Sequence, residues 1–315
     1  MVTLSDIQNA RNTIHGKVHR TPILSASALG EMVGVNLFLK CEQFQKTGSF
    51  KPRGALNTLA HLSDEENARG LVSASAGNHA QGLAFAARAY GVQATIVMPS
   101  DAPQAKVNAV RGYGGKIVFA ESVNTMFDKM LELARQHNYT IAHPFDSPYV
   151  IAGQGTIGLE ILEDVPDADY VFVPIGGGGL ISGIALALKE NNPRIKIIGV
   201  ESVAGGAYFT SRQNGENTRV VCSHSIAGGI ICPMIGVHNY PLMENYVDDV
   251  VLVNDDEIKA ALRLILERAK MLVEGAGAAA TAAVLTQKIP MPQNARVVSV
   301  LSGGNVDLEK LKEWL

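Results

Sequence analysis

Val173-Pro174-Ile175-Gly176-Gly177-Gly178-Gly179-Leu180 reads as a strand that runs into four glycines and then into a helix. A tight strand-to-helix turn needs one or two glycines. Four consecutive ones leave a backbone without side chains, whose N–H groups can close around an anion at the positive end of the following helix. A phosphate is the natural guest. The Walker A motif fails here, because no Gly-Lys-Ser/Thr follows. The dinucleotide fingerprint comes closer: Gly177 and Gly179 have its first spacing, Ser182 stands at its third position, and Glu201 ends the next strand where a ribose-binding acid would sit. A nicotinamide oxidoreductase therefore stays open at this point.

The same strand-turn-helix grammar extends in both directions. Short β-branched runs at 35–40, 70–73, 94–98, 116–119, 170–175, 195–200, 249–253 and 296–301 predict strands. Helical periodicity fills 52–61, 78–90, 103–113, 124–137, 150–162, 180–191, 255–271 and 276–287. Such alternation predicts an α/β protein with parallel-rich sheets covered by helices on both faces. Open sheets of this kind bind ligands beyond the carboxyl ends of their strands, where the Gly-rich and polar clusters fall. At 315 residues the chain is longer than one average domain, which predicts two lobes.

Composition narrows the function. Apolar residues make up 47% and charged residues 18%, enough for a substantial core, and the net charge of -3 offers nucleic acid or an anionic membrane no attraction. No N-terminal stretch reads as a signal peptide, and no apolar run is long enough to span a bilayer. Cys41, Cys222 and Cys232 are sparse, odd in number and without CxxC spacing. That pattern predicts reduced thiols in a cytoplasmic protein and no zinc cluster.

Three further clusters carry chemistry. In Lys46-Thr47-Gly48-Ser49-Phe50-Lys51-Pro52-Arg53-Gly54 a lysine stands where a strand gives way to a turn and then a helix. Burial there disfavours its charged form, and a neutral amine attacks carbonyls. The plain alternative for Lys51 is a first-turn residue of a capped helix. In Ser73-Ala74-Ser75-Ala76-Gly77-Asn78-His79-Ala80 the turn offers free N–H groups beside Asn78 and His79, with Ser75 expected to cap the helix. Val300-Leu301-Ser302-Gly303-Gly304-Asn305 ends a strand in a hydroxyl and two glycines. Pyridoxal phosphate unites these features. It needs an amine, an anion cradle, a group on its ring hydroxyl and a partner for its pyridine nitrogen, and Lys51, Gly176 to Gly179, Asn78 and Ser302 supply these in turn. The nicotinamide reading leaves Lys51 and Ser302 without a role.

With these motifs on the page, the chain resembles the fold-type-II pyridoxal-phosphate enzymes (tryptophan synthase β-like), in the group of threonine/serine dehydratases and serine racemases. The similarity runs from Arg20-Thr21-Pro22 to Ser302-Gly303-Gly304-Asn305-Val306-Asp307 and includes Ala152-Gly153-Gln154-Gly155-Thr156. It implies that Lys51 forms the Schiff base, that Phe50 packs on the cofactor ring, and that Asn78 contacts the ring hydroxyl. It further implies that Gly176, Gly177, Gly178, Gly179 and Leu180 hold the phosphate and that Ser302 meets the pyridine nitrogen. Ser75, Ala76, Gly77, Asn78 and His79 line the substrate side, and Glu274 stands near the cofactor. The implied lobes are a large cofactor-binding domain, 1–62 and 146–315, and a small substrate-side domain, 63–145. A homodimer or homotetramer is expected.

Racemases and lyases in this group differ in one turn. Serine racemases carry a serine immediately before Gly-Asn-His as the acid/base for the second face; here that position is Ala76. Phe127 stands where racemases resemble one another in having an arginine. Both departures favour β-elimination from L-threonine or L-serine over inversion. Serine racemase, a dehydratase for another 3-hydroxy amino acid such as hydroxyaspartate, and an amino-acid sensor on the same scaffold are the rivals. Where dehydratases read Thr-Ile-Ala-Asp-Gly, this chain reads Ser225-Ile226-Ala227-Gly228-Gly229, followed by the apolar Ile230-Ile231-Cys232-Pro233-Met234-Ile235. That leaves the preferred side chain open. Relatives bind a cation at the strand end occupied by Glu201. Without a second acid in Ser202-Val203-Ala204-Gly205-Gly206-Ala207, a monovalent or weak divalent ion, or none, is expected. The length predicts no appended amino-acid-binding regulatory domain.

Overall fold

A computed structural model describes residues 1–123 and 125–315. Among the described residues ten strands form two sheets. The strands are β1 (Ile23–Ser25), β2 (Asn36–Cys41), β3 (Leu71–Ala74), β4 (Ala94–Pro99), β5 (Lys116–Ala120), β6 (Thr140–Ile141), β7 (Tyr170–Pro174), β8 (Lys196–Ser202), β9 (Asp249–Val253) and β10 (Arg296–Leu301). The larger sheet has the order β1-β2-β10-β7-β8-β9, the smaller one β5-β4-β3-β6. Every pairing is parallel except β1 with β2. Strands such as β4, buried along its whole length, read as unbroken apolar runs because helices cover both faces.

Sequence periodicity misses the two shortest strands. β1 is a three-residue antiparallel edge and β6 has two residues, too few to show a period of two. The expected helix at 255–271 is cut short. It runs as Asp255–Leu264, widens into a π turn at Ile265–Ala269, and stops at Lys270 with φ 59°. The widened turn redirects the chain toward Glu274. The helix expected at 124–137 is seen as Met126–His137, and Asn124 lies outside the described residues.

Two devices hold the helix that carries Lys51, Lys51–Ala60, against the long helix Pro148–Asp164. The first is close backbone approach. A Cβ on Gly153 would lie 2.6 Å from both the Arg53 carbonyl oxygen and Gly54 Cα, so only hydrogen fits between the helices. This explains Gly153 of the 152–156 motif; Gly155 makes the like approach to Ile7 and the Gly183 carbonyl. The second is a buried, charge-balanced cluster of Lys40, Arg53, Glu42 and Glu160. Lys40, Glu42 and Arg53 are fully buried. Arg53 donates to Glu42 at 2.8 and 2.9 Å and to Glu160 at 2.7 and 2.9 Å; Lys40 reaches Glu160 at 2.5 Å. Removing one member of such a cluster strands a buried charge and costs about 3–5 kcal/mol. The cluster ties β2, the Lys51 helix and the long helix into one frame, two residues from the lysine.

Candidate active site

Lys51 is the first residue of its helix, and no side chain caps that helix end. The turn before it is stitched to the end of β10: Ser49 bridges Gly303, the Phe50 N–H donates to the Ser302 carbonyl at 3.2 Å, and the Gly304 N–H donates to the Gly48 carbonyl at 2.9 Å. These bonds bring Ser302 and Lys51, distant in sequence, to one place. Lys51 Nζ donates to the Pro144 carbonyl at 2.9 Å and lies 5.0 Å from the Phe50 ring centroid. Burial pulls the Lys51 amine down to about 8, against the opposing pull of Cys232 and Glu274. A substantial fraction is therefore neutral near physiological pH.

Two 13-residue helices begin at glycine N-caps, Asn78–Tyr90 after Gly77 and Gly179–Asn191 after Gly178. Neither has a side-chain cap. The expectation that Ser75 caps the first is corrected: its hydroxyl accepts from the Gly77 N–H at 3.2 Å, one turn too early. The donors of both first turns thus remain for a ligand. Gly178 has φ 97°, a conformation suited to glycine. The Gly177 carbonyl is held by the Gly236 N–H at 3.1 Å and by buried Asn239 Nδ2 at 2.9 Å. Phe145 packs on Gly177, where a Cβ would collide with its ring, and the Gly229–Ile230 backbone lies beside Gly176. Leu180, in the first turn, is buried.

Asn78 Nδ2 donates to Glu274 Oε1 at 2.5 Å, and Asn78 Oδ1 accepts from Asn305 Nδ2 at 2.8 Å. Burial raises the Glu274 carboxyl to about 6, although the Asn78 bond opposes the shift. His79 is buried. Its Nε2 faces the Ser73 hydroxyl at 3.1 Å and the Ala142 carbonyl at 3.4 Å, and burial together with the Lys51 charge lowers it to about 3. It is a neutral ring committed to the small sheet, so its backbone N–H is the part free for an anion. Ser302 is buried, with its hydroxyl 3.4 Å from the Ala276 carbonyl. Ala76 is half-buried and packs on the small-sheet core.

A phosphorylated aldehyde fits these residues. The tetraglycine turn has a cradle with no Cβ in it, a depressed amine stands nearby, and the buried Ser49 hydroxyl lacks a protein partner. The pattern of the pyridoxal-phosphate dependent enzymes matches residues 14–303. The chain belongs to that family. Pyridoxal phosphate is its cofactor, and this pyridoxal-phosphate enzyme has the fold-type-II architecture. It is 45% identical over 312 residues to the L-threonine ammonia-lyase of Thermotoga maritima, covering 99% of this chain and 77% of that one. It is 45% identical to the catabolic L-threonine dehydratase TdcB of Staphylococcus aureus, covering 99% and 91%. Among solved structures, maize serine racemase superposes with a TM-score of 0.94 at 38% identity, covering 99% and 96%.

The nicotinamide reading ends with the family, and Glu201 has another task in this enzyme. Its oxygens accept from the Tyr208 N–H at 3.0 Å and the Phe209 N–H at 2.7 Å, at the start of the helix Ala207–Asn214. Burial raises it to about 7 against those bonds. This is the geometry of a helix cap, with one N–H on each carboxylate oxygen. Among the described residues no group of three His, Cys, Asp or Glu is placed to hold a metal ion. Phe127 is exposed on its helix. Gly228, in the place of the missing acid, faces open space, while Gly229 stands 3.9 Å from Glu274 Oε1 by the position of its absent Cβ.

Three residues of the site have no part in the sequence reading. Pro144 and Phe145 come from the link between the two sheets, and Asn239 from a helix start with no motif around it. Asn305 stood in a quoted motif without a role. Its signal was there: an amide two residues past a Gly-Gly pair at a strand end.

Proposed function

We propose that this enzyme catalyses β-elimination from L-threonine and L-serine, giving 2-ketobutyrate or pyruvate and ammonia. The observation that carries the reading is a buried Lys51 amine whose charged form is disfavoured, together with Ala76, a methyl in the turn where a second proton carrier belongs. The similarity to threonine ammonia-lyases over 99% of the chain supports it. The maize serine racemase likeness supports inversion as the second reading, and Ala76 weighs against it.

When bound, pyridoxal phosphate supplies an electron sink for charge developing at the substrate α-carbon. Gly176 to Gly179 and Leu180 would hold its phosphate by their N–H groups, Phe50 would pack on its ring, Asn78 would donate to its ring oxygen, and Ser302 would meet its pyridine nitrogen. The uncapped turn at Ser75, Gly77, Asn78 and His79 binds the substrate carboxylate and orients the Cα–H bond toward Lys51. The Lys51 amine, once free, takes the α-proton. Ser302 would offer the ring nitrogen a neutral hydroxyl and no carboxylate. Ala76 returns no proton. Glu274 orients Asn78.

The two sheets support a division into a cofactor-binding lobe, 1–62 and 146–315, and a substrate-side lobe, 63–145. By family likeness we read the protein as a cytoplasmic homodimer or homotetramer. Three free cysteines fit that compartment, and no helix among the described residues is long and apolar enough to cross a membrane.

The test is a panel of 3-hydroxy amino acids assayed for keto acid, ammonia and chirality. L-threonine yields 2-ketobutyrate, and recovered serine stays L. Racemised serine without keto acid sinks the lyase reading. Lys51→Ala lowers turnover by roughly 10²–10⁴-fold or more and removes the visible absorbance of the lysine-bound cofactor. Absorbance retained in that variant moves the linkage to another lysine.

A further inference from the structure

The orientation of the Asn78 amide is decided outside the cleft. The Thr47 carbonyl oxygen can only accept, so the Asn305 atom 2.7 Å from it is Nδ2. The same Nδ2 lies 2.8 Å from the Asn78 amide, so the atom it meets there is Oδ1. Asn78 Nδ2 is thereby turned to Glu274, whose Oε1 is 2.5 Å away. The chain of assignments starts at a backbone group and leaves no free choice of amide flip. Gly48 makes room for it. This residue has φ 72°, and a Cβ there would lie 2.5 Å from Asn305 Oδ1. The Gly304 N–H bond to the Gly48 carbonyl keeps the two turns in register.

We propose that Asn305 is a positioning residue that locks Asn78 with its N–H₂ end toward Glu274 and toward the cofactor's ring oxygen. The proposal rests on the reading of Asn78 as the partner of that oxygen. An amide nitrogen carries two hydrogens. One goes to Glu274, and the second is free for an anionic oxygen in the cleft. Turned over, Asn78 would set its own carbonyl oxygen against a carboxylate and an oxyanion, three acceptors without a proton among them. Asn305 forbids that arrangement by using both of its own hydrogens, one on Thr47 and one on Asn78 Oδ1. Glu274 and Asn305 thus act on Asn78 from opposite ends.

The experiment exchanges donor for acceptor. Asn305→Asp offers Asn78 a carboxylate, which draws Asn78 Nδ2 to itself and turns Oδ1 into the cleft. Asn305→Ala removes the direction without reversing it. Dissociation constants for pyridoxal phosphate are read by titrating apoprotein and following the visible absorbance, with melting of the apoprotein as the folding control. The Asp variant weakens binding about tenfold and the Ala variant about threefold. Glu274→Gln, whose amide can donate to a turned Asn78, relieves one of the two acceptor clashes, so each double variant loses less relative to the Glu274→Gln single variant than its Asn305 counterpart loses relative to the parent. A loss that is equal in the two variants and untouched by Glu274→Gln makes Asn305 merely structural and overturns the proposal; so does binding unchanged in both. If the Asp variant does not fold, the Ala variant with and without Glu274→Gln decides alone. Lys51→Ala run alongside separates the two levels: retained lysine-type absorbance there sinks the site reading, whatever Asn305 does.

Discussion

The helices of this protein begin in two ways. Away from the cleft, Leu4–Ile14, Asp64–Arg69 and Asp255–Leu264 each start with a full capping box, from Thr3 with Asp6, Ser63 with Glu66 and Asn254 with Glu257. At the cleft, Lys51–Ala60, Asn78–Tyr90, Gly179–Asn191 and Gly275–Leu285 start with no side-chain cap at all. A cap contributes about 1 kcal/mol. Four helices that forgo it at one place leave their free donors and positive ends for ligands. Other helices, among them Gln104–Gly112 and Met126–His137, also lack a side-chain cap, so an empty first turn marks a binding end only where a glycine N-cap and converging polar groups accompany it, as at Gly77 and Gly178.

That contrast can be tested by capping what is uncapped. The largest effect belongs to Gly178→Asp. A carboxylate at this N-cap competes with the cofactor phosphate, and φ 97° together with Met243 Sδ 2.7 Å from the new Cβ adds strain. Cofactor affinity falls roughly 100-fold, measured by titration of the apoprotein. Gly77→Asp behaves differently. A Cβ there meets nothing within 4 Å, and its φ of -124° is open to any residue. The new carboxylate caps Asn78–Tyr90, so the apoprotein gains roughly a few tenths of a kcal/mol in denaturant unfolding. The KM for the amino acid rises roughly tenfold or more, because its carboxylate loses those donors, while cofactor affinity is kept. An unchanged KM would remove the substrate carboxylate from this helix end. The smallest effect is at the periphery: Asn254→Ala costs about 1 kcal/mol of stability and leaves KM and turnover as they were.

Much of this arrangement is legible in the residues. Alternating apolar runs show the parallel sheets, since strands covered on both faces must be apolar throughout. The tetraglycine and Ser302 announce themselves because each sits at a strand end in a Gly-rich turn, and Lys51 because it opens a helix after a Thr-Gly-Ser turn. What stays hidden is set by tertiary contact. Ser75 has the composition of a cap, yet the turn spends its hydroxyl on Gly77. Glu201 has the position of a ligand-binding acid, yet it caps the helix Ala207–Asn214. Asn305 directs an amide 227 positions away in sequence, a pairing that no local pattern encodes. The 13-residue helix after Gly77 is visible from periodicity, whereas the emptiness of its first turn is not.

The sheet orders bear on how the protein is made. β3 to β6 follow one another within 71–141, so the smaller sheet can close as soon as its own segment has been synthesised. In the larger sheet the last strand, β10, lies between β2 and β7. The partner that β2 needs is therefore translated more than 250 residues after it, a delay on the order of tens of seconds at ribosomal speeds. Until then β2 presents an open apolar edge to the cell, and the Lys51 turn lacks the Ser302–Gly304 segment that bonds to it. One sheet can thus be complete while the other waits, and the Lys51 turn gains its Ser302–Gly304 neighbours only when the last strand is in place.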